Sequence, residues 1–343
     1  MTLVSLIVEQ HPVVLFISSL ICIYIGHTML FGKNHFNPTS KHCYIIGGSS
    51  GLGKALAEEL VRRGADVTIV ARRQKPLDET MDILKSIAKP GQKIAAISAD
   101  LTDATSSQNA LNQAIIPFDG KAPDYFFLCA GHSIPRLFVD TTPEQLKAGL
   151  DGTFWVQAYT AHAAFKLLAS QRAKGSIVFV SSFLGYTSFA GYSSYSPGKF
   201  ALRGLADTLR SEAIAFPGIN IHIFMPAGID SPGYVNEQLY KHAITKKIED
   251  GDKVISAEEC AGHLIRGLEK GYYQPTSYFI TDLVRVQTRG ACPGNNPILD
   301  SLMWLISGPG LPIWRMFADS IVRGFRKDLA NELEAKGFYT TPK

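Results

Sequence analysis

Tyr195 and Lys199 stand four residues apart at the head of a stretch, KFALRGLADTLRSEAIAF, whose apolar residues recur at helical spacing. That spacing projects both side chains from one helix face, about a turn apart. A phenol near its free pKa of about 10 is a poor acid–base catalyst at neutral pH, whereas a fixed ammonium nearby stabilises the phenolate and lowers that pKa. Ser182 closes an earlier apolar run, IVFVSS, and its hydroxyl can hydrogen-bond a substrate oxygen. A serine to polarise a carbonyl, a tyrosine to protonate it and a lysine to tune the tyrosine make a reduction site that lacks only a source of hydride. A Tyr-x-x-x-Lys pair alone arises often by chance, so the reading depends on what else the chain supplies.

A glycine-rich turn, Gly47-Gly48-Ser49-Ser50-Gly51-Leu52-Gly53, lies directly between a strand-like run and the helical pattern KALAEELVRRG. Gly47, Gly51 and Gly53 permit a tight turn, let the backbone approach a pyrophosphate and bring the helix against the strand, so that phosphates meet the positive helix N-terminus. Ser49 and Ser50 inside the turn are candidate cofactor contacts. The second strand-like run ends DVTIVARRQK, with Arg72 and Arg73 where a site for NAD would carry an acid for the ribose hydroxyls, and Lys75 just beyond. A guanidinium instead matches the charge and geometry of a 2′-phosphate, so NADPH is the expected cofactor. No metal is expected, because His132, His162 and His263 share no ligand spacing.

The elements that must hold these residues follow from periodicity. Strand-length apolar runs at residues 42–46, 66–71, 93–99, 124–130, 176–181, 219–225 and 278–281 alternate with helical patterns, the signature of a parallel sheet covered on both faces. The expected fold is an α/β Rossmann-type doubly wound parallel sheet of seven strands. Thr142-Pro143-Glu144-Gln145 and Ser256-Ala257-Glu258-Glu259 mark helix starts by capping-box logic. Hydrophobic residues at 46% and charged residues at 19% supply a large core and exclude a disordered chain. A net charge of +4, without a Lys/Arg block interleaved with aromatics, gives no reason to expect a nucleic-acid partner.

Glycine turn, serine-ended strand and Tyr-Lys pair together resemble the short-chain dehydrogenase/reductase family over residues 37–283. The resemblance implies that Asp100 and Leu101 hold the adenine and that Cys129-Ala130-Gly131 corresponds to an Asn-Ala-Gly stretch, with Ala130 and Gly131 at the cofactor. It further implies that residues 226–231, with Ile229 and Ser231, clasp the nicotinamide amide, that Tyr195 and Lys199 also touch the cofactor, and that the chain forms a homodimer. Phe200, Leu202, Leu205 and Leu209 exceed what one helix face needs, which places the dimer contact on residues 199–216. Three departures stand out: Ile46 replaces a Thr, Leu128-Cys129 replaces asparagines, and Gly149 occupies the place of a catalytic Asn that holds a water beside the lysine.

Within that family the stretches GGSSGLGKALAEEL, SPGKFALRGLADTLRSE and PAGIDSPGY resemble the endoplasmic-reticulum reductases of a long-chain amino ketone lipid, above all the fungal ones. The resemblance implies NADPH-dependent reduction of that ketone in sphingolipid synthesis. A membrane-anchored steroid or retinoid carbonyl reductase would share fold, anchor and triad, and a catalytically silent NADPH-sensing scaffold would share the fold.

The ends of the chain point to a membrane. Residues 13–31, VVLFISSLICIYIGHTMLF, contain no Asp, Glu, Lys or Arg and match the roughly 20 residues a spanning helix needs. Lys33 and Lys41 follow this run and only Glu9 precedes it, so the bulk of the chain is expected on the cytosolic side of the endoplasmic reticulum membrane. Residues 297–317 are apolar but broken by Gly308-Pro309-Gly310 and Pro312, which suits an interfacial or re-entrant segment or a hydrophobic flap packed on the domain. The organisation expected is an anchor at 1–36, a catalytic domain at 37–285 and a membrane-associated tail at 286–343. Residues 231–255, rich in Tyr, Lys and Asp, read as a substrate lid or an ordinary surface loop. Five cysteines without a C-x-x-C pair suggest reduced, packed thiols.

Overall fold

The computed structural model describes residues 34–340 and, before them, residue 19 alone. Apart from that residue, the expected anchor at residues 13–31 lies outside the described residues. Strands His42–Ile46 (β1), Asp66–Ala71 (β2), Ile94–Ser98 (β3), Tyr125–Leu128 (β4), Gly175–Val180 (β5) and Ile219–Phe224 (β6) form one sheet in the order β3-β2-β1-β4-β5-β6. All of its pairings are parallel. Two short strands, Ile229–Asp230 (β7) and Ile255–Ser256 (β8), pair separately. Helices Gly51–Arg62 (α1), Gln74–Ile87 (α2), Ala104–Ile115 (α3), Pro143–Leu150 (α4), Val156–Gln171 (α5) and Ser196–Ala213 (α6) connect the main strands.

Every residue of β1 is buried, and after His42 it reads as a continuous apolar run because helices cover both faces of the sheet. On one face Leu56 and Leu60 of α1 share a core with Ile45 and Phe127; on the other, Leu111, Leu168 and Leu202 share one with Tyr44, Phe126 and Phe179. Each such fully buried side chain contributes about 1.5–3 kcal/mol. The helix starts follow local chemistry: Thr142 and Gln145 form a reciprocal capping box, and Ser256 accepts from the Glu259 amide. The strand order reverses between β1 and β4, so their carboxyl ends open a crevice of the kind that binds ligands in doubly wound sheets.

The main sheet has six strands among the described residues, not seven. Residues 278–281, expected as a strand, belong to the start of helix Phe279–Thr288 and its N-cap Tyr278. The segment just upstream runs beside β6 instead, where Ile223 and Met225 donate to the carbonyls of Tyr273 and Pro275, and Met225 bridges Thr276 in parallel. Pro275 has no amide hydrogen, which confines this segment to an incomplete edge pairing. Residues 231–255 also differ from a loop: helices Pro232–Tyr240 (α7) and Ala243–Ile248 (α8) fill most of them.

Beyond helix Ala257–Glu269 (α9), the C-terminal part is helical: Phe279–Thr288 (α10), Pro297–Ser307 (α11), Gly310–Gly324 (α12) and Arg326–Ala335 (α13). Buried Arg285 on α10 forms a two-pronged pair with buried Asp300 on α11 at 2.9 and 2.7 Å. Trp314 and Ala318 of α12 pack with Ile244 and Ile248 of α8. The segment at 297–317 is therefore two helices docked on the domain, which nevertheless leave Leu305 and Ile306 71% and 72% exposed. Among the described residues no helix is long and apolar enough to cross a membrane.

Candidate active site

A cavity of about 890 Å³ opens at the carboxyl ends of the strands. At one end lies the turn after β1. Gly47 takes φ +73°, and a Cβ on it would come within 2.7 Å of the Ala130 backbone, so only glycine fits between the two strand ends. A Cβ on Gly53 would run into the Gly47 carbonyl oxygen, which fixes α1 against the turn. Gly47, Ser49, Ser50, Gly51 and Gly53 all line the cavity. Arg72 and Arg73 at the end of β2 line it too, followed by Leu101, Ala130 and Gly131. Ile229 and Ser231 close the same wall. Two expected contacts stand apart: exposed Lys75 on α2 and Asp100 are not among the lining residues. The Asp100 carboxylate instead accepts from the Thr102 amide at 3.0 Å and hydroxyl at 2.7 Å. Thr102 itself lines the wall.

Farther along, Ser182, Tyr195 and Lys199 come together. Ser182 follows β5, Tyr195 is the N-cap of α6, and Pro197 in the first turn of that helix sets Lys199 one turn on. Lys199 Nζ donates to the Val180 carbonyl at 2.9 Å, and buried Gln157 donates to the carbonyls of Val180 and Ala130 at 2.8 and 3.1 Å. Strand ends β4 and β5 are thus braced from beneath the site. Ser181 Oγ in turn donates to the Lys199 carbonyl at 2.9 Å, tying α6 to β5.

The electrostatics differ from the sequence expectation. Lys199 was expected to depress the phenol of Tyr195, but withdrawal from water raises that phenol above its ordinary value, aided by the charge of Glu237 and opposed only by a hydrogen bond with Ser182. Burial lowers Lys199 itself to about 8, and its ammonium sits 5.5 Å from the Tyr195 ring centre, engaged with Val180. A raised phenol pKa keeps Tyr195 protonated, the form needed to give a proton to a nascent alkoxide. Burial pushes the neighbouring Cys129 thiol up to about 12, which makes it an inert packed thiol.

Gly149 leaves no room for a side chain. A Cβ there would collide with the Ser194 carbonyl, directly before Tyr195, and Thr153 Oγ1 donates to the Gly149 carbonyl at 2.6 Å. The chain widens to a π-turn at Asp151–Trp155 immediately afterwards, a distortion common at functional sites. The loop bearing Tyr195 thus packs directly on the helix at Gly149, where the resemblance led to the expectation of an asparagine.

A match to the short chain dehydrogenase family model covers residues 41–240, the part that contains turn, triad and sheet. This chain belongs to the short-chain dehydrogenase family. Among relatives of this short-chain dehydrogenase, "3-ketodihydrosphingosine reductase TSC10" of Cryptococcus neoformans var. neoformans serotype D (strain B-3501A) is 55% identical over 311 residues, covering 91% of this chain and 92% of the relative. "3-ketodihydrosphingosine reductase ksrA" of Aspergillus fumigatus is 37% identical, with 86% and 89% covered. A short chain dehydrogenase/reductase from Burkholderia phymatum, solved in complex with NAD, matches with a TM-score of 0.66 and 17% identity over 74% of this chain and 95% of its own, a likeness of fold. The chain is accordingly an oxidoreductase of Rossmann type using a nicotinamide dinucleotide, and the glycine turn is a cradle that a dinucleotide pyrophosphate fits.

The end of the cavity away from the glycine turn holds residues that motif reading missed. Tyr192, Glu237, Lys241 and Glu249 line the cavity beside Tyr195, with Trp314 reaching in from α12. Only the i, i+4 spacing of Glu237 and Lys241 hinted at them; their meeting with Glu249 and Tyr192 depends on how α7 and α8 fold back.

Proposed function

We propose that this chain reduces 3-ketodihydrosphingosine to dihydrosphingosine with NADPH, in sphingolipid biosynthesis. The carrying observation is the 55% identity to a named 3-ketodihydrosphingosine reductase across nine-tenths of both chains. It is joined to a site in which Ser182, Tyr195 and Lys199 share one cavity with the glycine turn. When bound, the cofactor supplies hydride to the carbonyl carbon. Ser182 holds the carbonyl oxygen, and Tyr195, kept neutral by burial, gives that oxygen its proton. Lys199, fixed on Val180, holds the end of β5 in place. The preference for NADPH rests on Arg72 and Arg73 in the cavity wall with no acid at the end of β2.

The enzyme works at the endoplasmic reticulum membrane with its catalytic domain facing the cytosol. Supporting this are the uncharged run at residues 13–31 and the exposed apolar side chains of Trp304, Leu305, Ile306, Ile313 and Met316 on α11 and α12. Such a surface suits the interfacial zone where a long-chain ketone partitions. A homodimer through α6 is retained as a further proposal, carried by Phe200 alone. Of the four residues expected there, Leu202 is buried and Leu205 and Leu209 pack on the core, while Phe200 is 42% exposed.

Purified protein in mild detergent, offered 3-ketodihydrosphingosine, a steroid ketone and retinal in parallel, should oxidise NADPH with the first alone. Turnover of the steroid or retinal instead would move the function to those substrates, and no turnover with any would favour a silent NADPH-binding protein.

A further inference from the structure

Two carboxylates and one ammonium meet at the substrate end of the cavity. Lys241 Nζ, on a side chain 1% exposed, lies 3.0 Å from Glu237 and 2.5 Å from Glu249. The Tyr192 hydroxyl is 2.6 Å from both carboxylates and has one proton for the two. Among the described residues, Lys241 is the one basic side chain within ion-pairing reach of either glutamate. Two carboxylates thus face one ammonium, in a wall that also holds Asp252 and Lys253.

Both glutamate side chains remain 17% exposed and line the cavity, so a cation entering it can reach them. The carboxylates face the reaction. All four residues line the same cavity as Ser182 and Tyr195, and the Tyr192 and Tyr195 rings are 5.9 Å apart. The field of Glu237 reaches the reacting phenol and helps raise its pKa. The pocket already shows how a primary ammonium is held there: Lys241 Nζ lies between the carboxylates with the faces of Tyr192 and Tyr234 at 5.8 and 5.0 Å. Such aromatic faces add cation–π attraction when water is excluded.

We propose that Glu237, supported by Glu249 and Tyr192, binds a primary ammonium on the carbon next to the substrate ketone and so selects α-amino ketones over plain ketones. The inference rests on the proposed function, since 3-ketodihydrosphingosine carries such an ammonium. Ammonium at Glu237 and carbonyl oxygen at Ser182 and Tyr195 fix adjacent carbons of the substrate at two points. The ketone is thereby held in register with its acid.

The test compares 3-ketodihydrosphingosine with its analogue lacking the amine, in wild type, Glu237→Gln, Glu237→Asp and Tyr192→Phe, with folding checked by circular dichroism. A charge-assisted contact predicts that Glu237→Gln raises KM for the amino ketone about 10–100-fold, collapses the wild-type preference over the analogue, and is partly rescued by Glu237→Asp. Equal changes in KM for both ketones would overturn the proposal. Calorimetry with dihydrosphingosine and its N-acetyl derivative separates this inference from the reading it rests on. Amine-selective binding lost in Glu237→Gln, in a protein that does not turn over the ketone, would sustain the ammonium site and sink the function. Turnover of the ketone without any amine selectivity would do the reverse.

Discussion

At the cofactor end, strand β1, the turn and helix α1 are contiguous in sequence, and Gly47 and Gly53 meet atoms of their own turn or of the neighbouring strand end. At the substrate end, Tyr192 precedes α6, Glu237 lies on α7 and Lys241 caps its C-terminus, Glu249 follows α8 and Trp314 comes from α12. A contiguous turn is specified by short-range chemistry, so substitution there damages one ligand contact. A wall assembled from distant helices depends on everything that docks those helices, and its substrate contacts inherit the stability of the C-terminal packing.

Removing the acid between the two ends gives the largest effect: Tyr195→Phe should lower turnover about 10³-fold or more while leaving NADPH affinity within a few-fold, checked by steady-state kinetics and fluorescence titration. Next, the buried Arg285–Asp300 pair holds α10 to α11, and Arg285→Ala, which leaves Asp300 only Arg289 and the Asn295 amide, should cost about 1–3 kcal/mol. The comparison is sharpened if denaturant unfolding of that variant shows substrate affinity failing before cofactor affinity. Gly149→Asn should cost about 1–3 kcal/mol and most of the activity, since its Cβ drives into the Ser194 carbonyl beside Tyr195; a thermal melt and an assay suffice. Arg72→Ala should raise KM for NADPH about 10–100-fold and leave that for NADH nearly unchanged. Equal effects on both cofactors would remove Arg72 from the 2′-phosphate site.

The smallest effect is a pH dependence. Lys199 has a folded pKa lowered from 10.5 to about 8, so between those values the unfolded chain binds more protons than the folded one. Its penalty to folding is fully present below about pH 8 and is relieved as pH rises towards 10.5. Lys199→Met should therefore stabilise the cofactor-free protein by about 1–3 kcal/mol at pH 7, with the gain fading by about pH 10. A constant gain across that range would mean that the mutation acts by packing alone.

The same contrast explains what the sequence revealed. Gly47 to Gly53, Arg72, Ser182, Tyr195 and Lys199 were legible because a turn, a strand end or one helical turn places them. Six strands were legible as apolar runs for the same reason. The strand expected at 278–281 failed because an apolar run that short fits a helix start equally well, and Pro275 spoiled the pattern of the segment that does flank β6. The net rise in the Tyr195 phenol was not legible because burial depends on the whole fold, and spacing along a helix does not report it. Glu249, far from Glu237 in sequence, could not be paired with it until α7 and α8 were seen to fold back.

The central claim is a hydride delivered to the ketone carbon and a proton delivered by Tyr195. It is tested most directly by incubating the purified protein with 3-ketodihydrosphingosine and NADPH deuterated at the transferable position of the nicotinamide, then locating the label by mass spectrometry. One deuterium on the new carbinol carbon of dihydrosphingosine, with product formation lost in Tyr195→Phe, is the predicted result. Unlabelled product, or labelled product formed at an undiminished rate by Tyr195→Phe, would contradict the account.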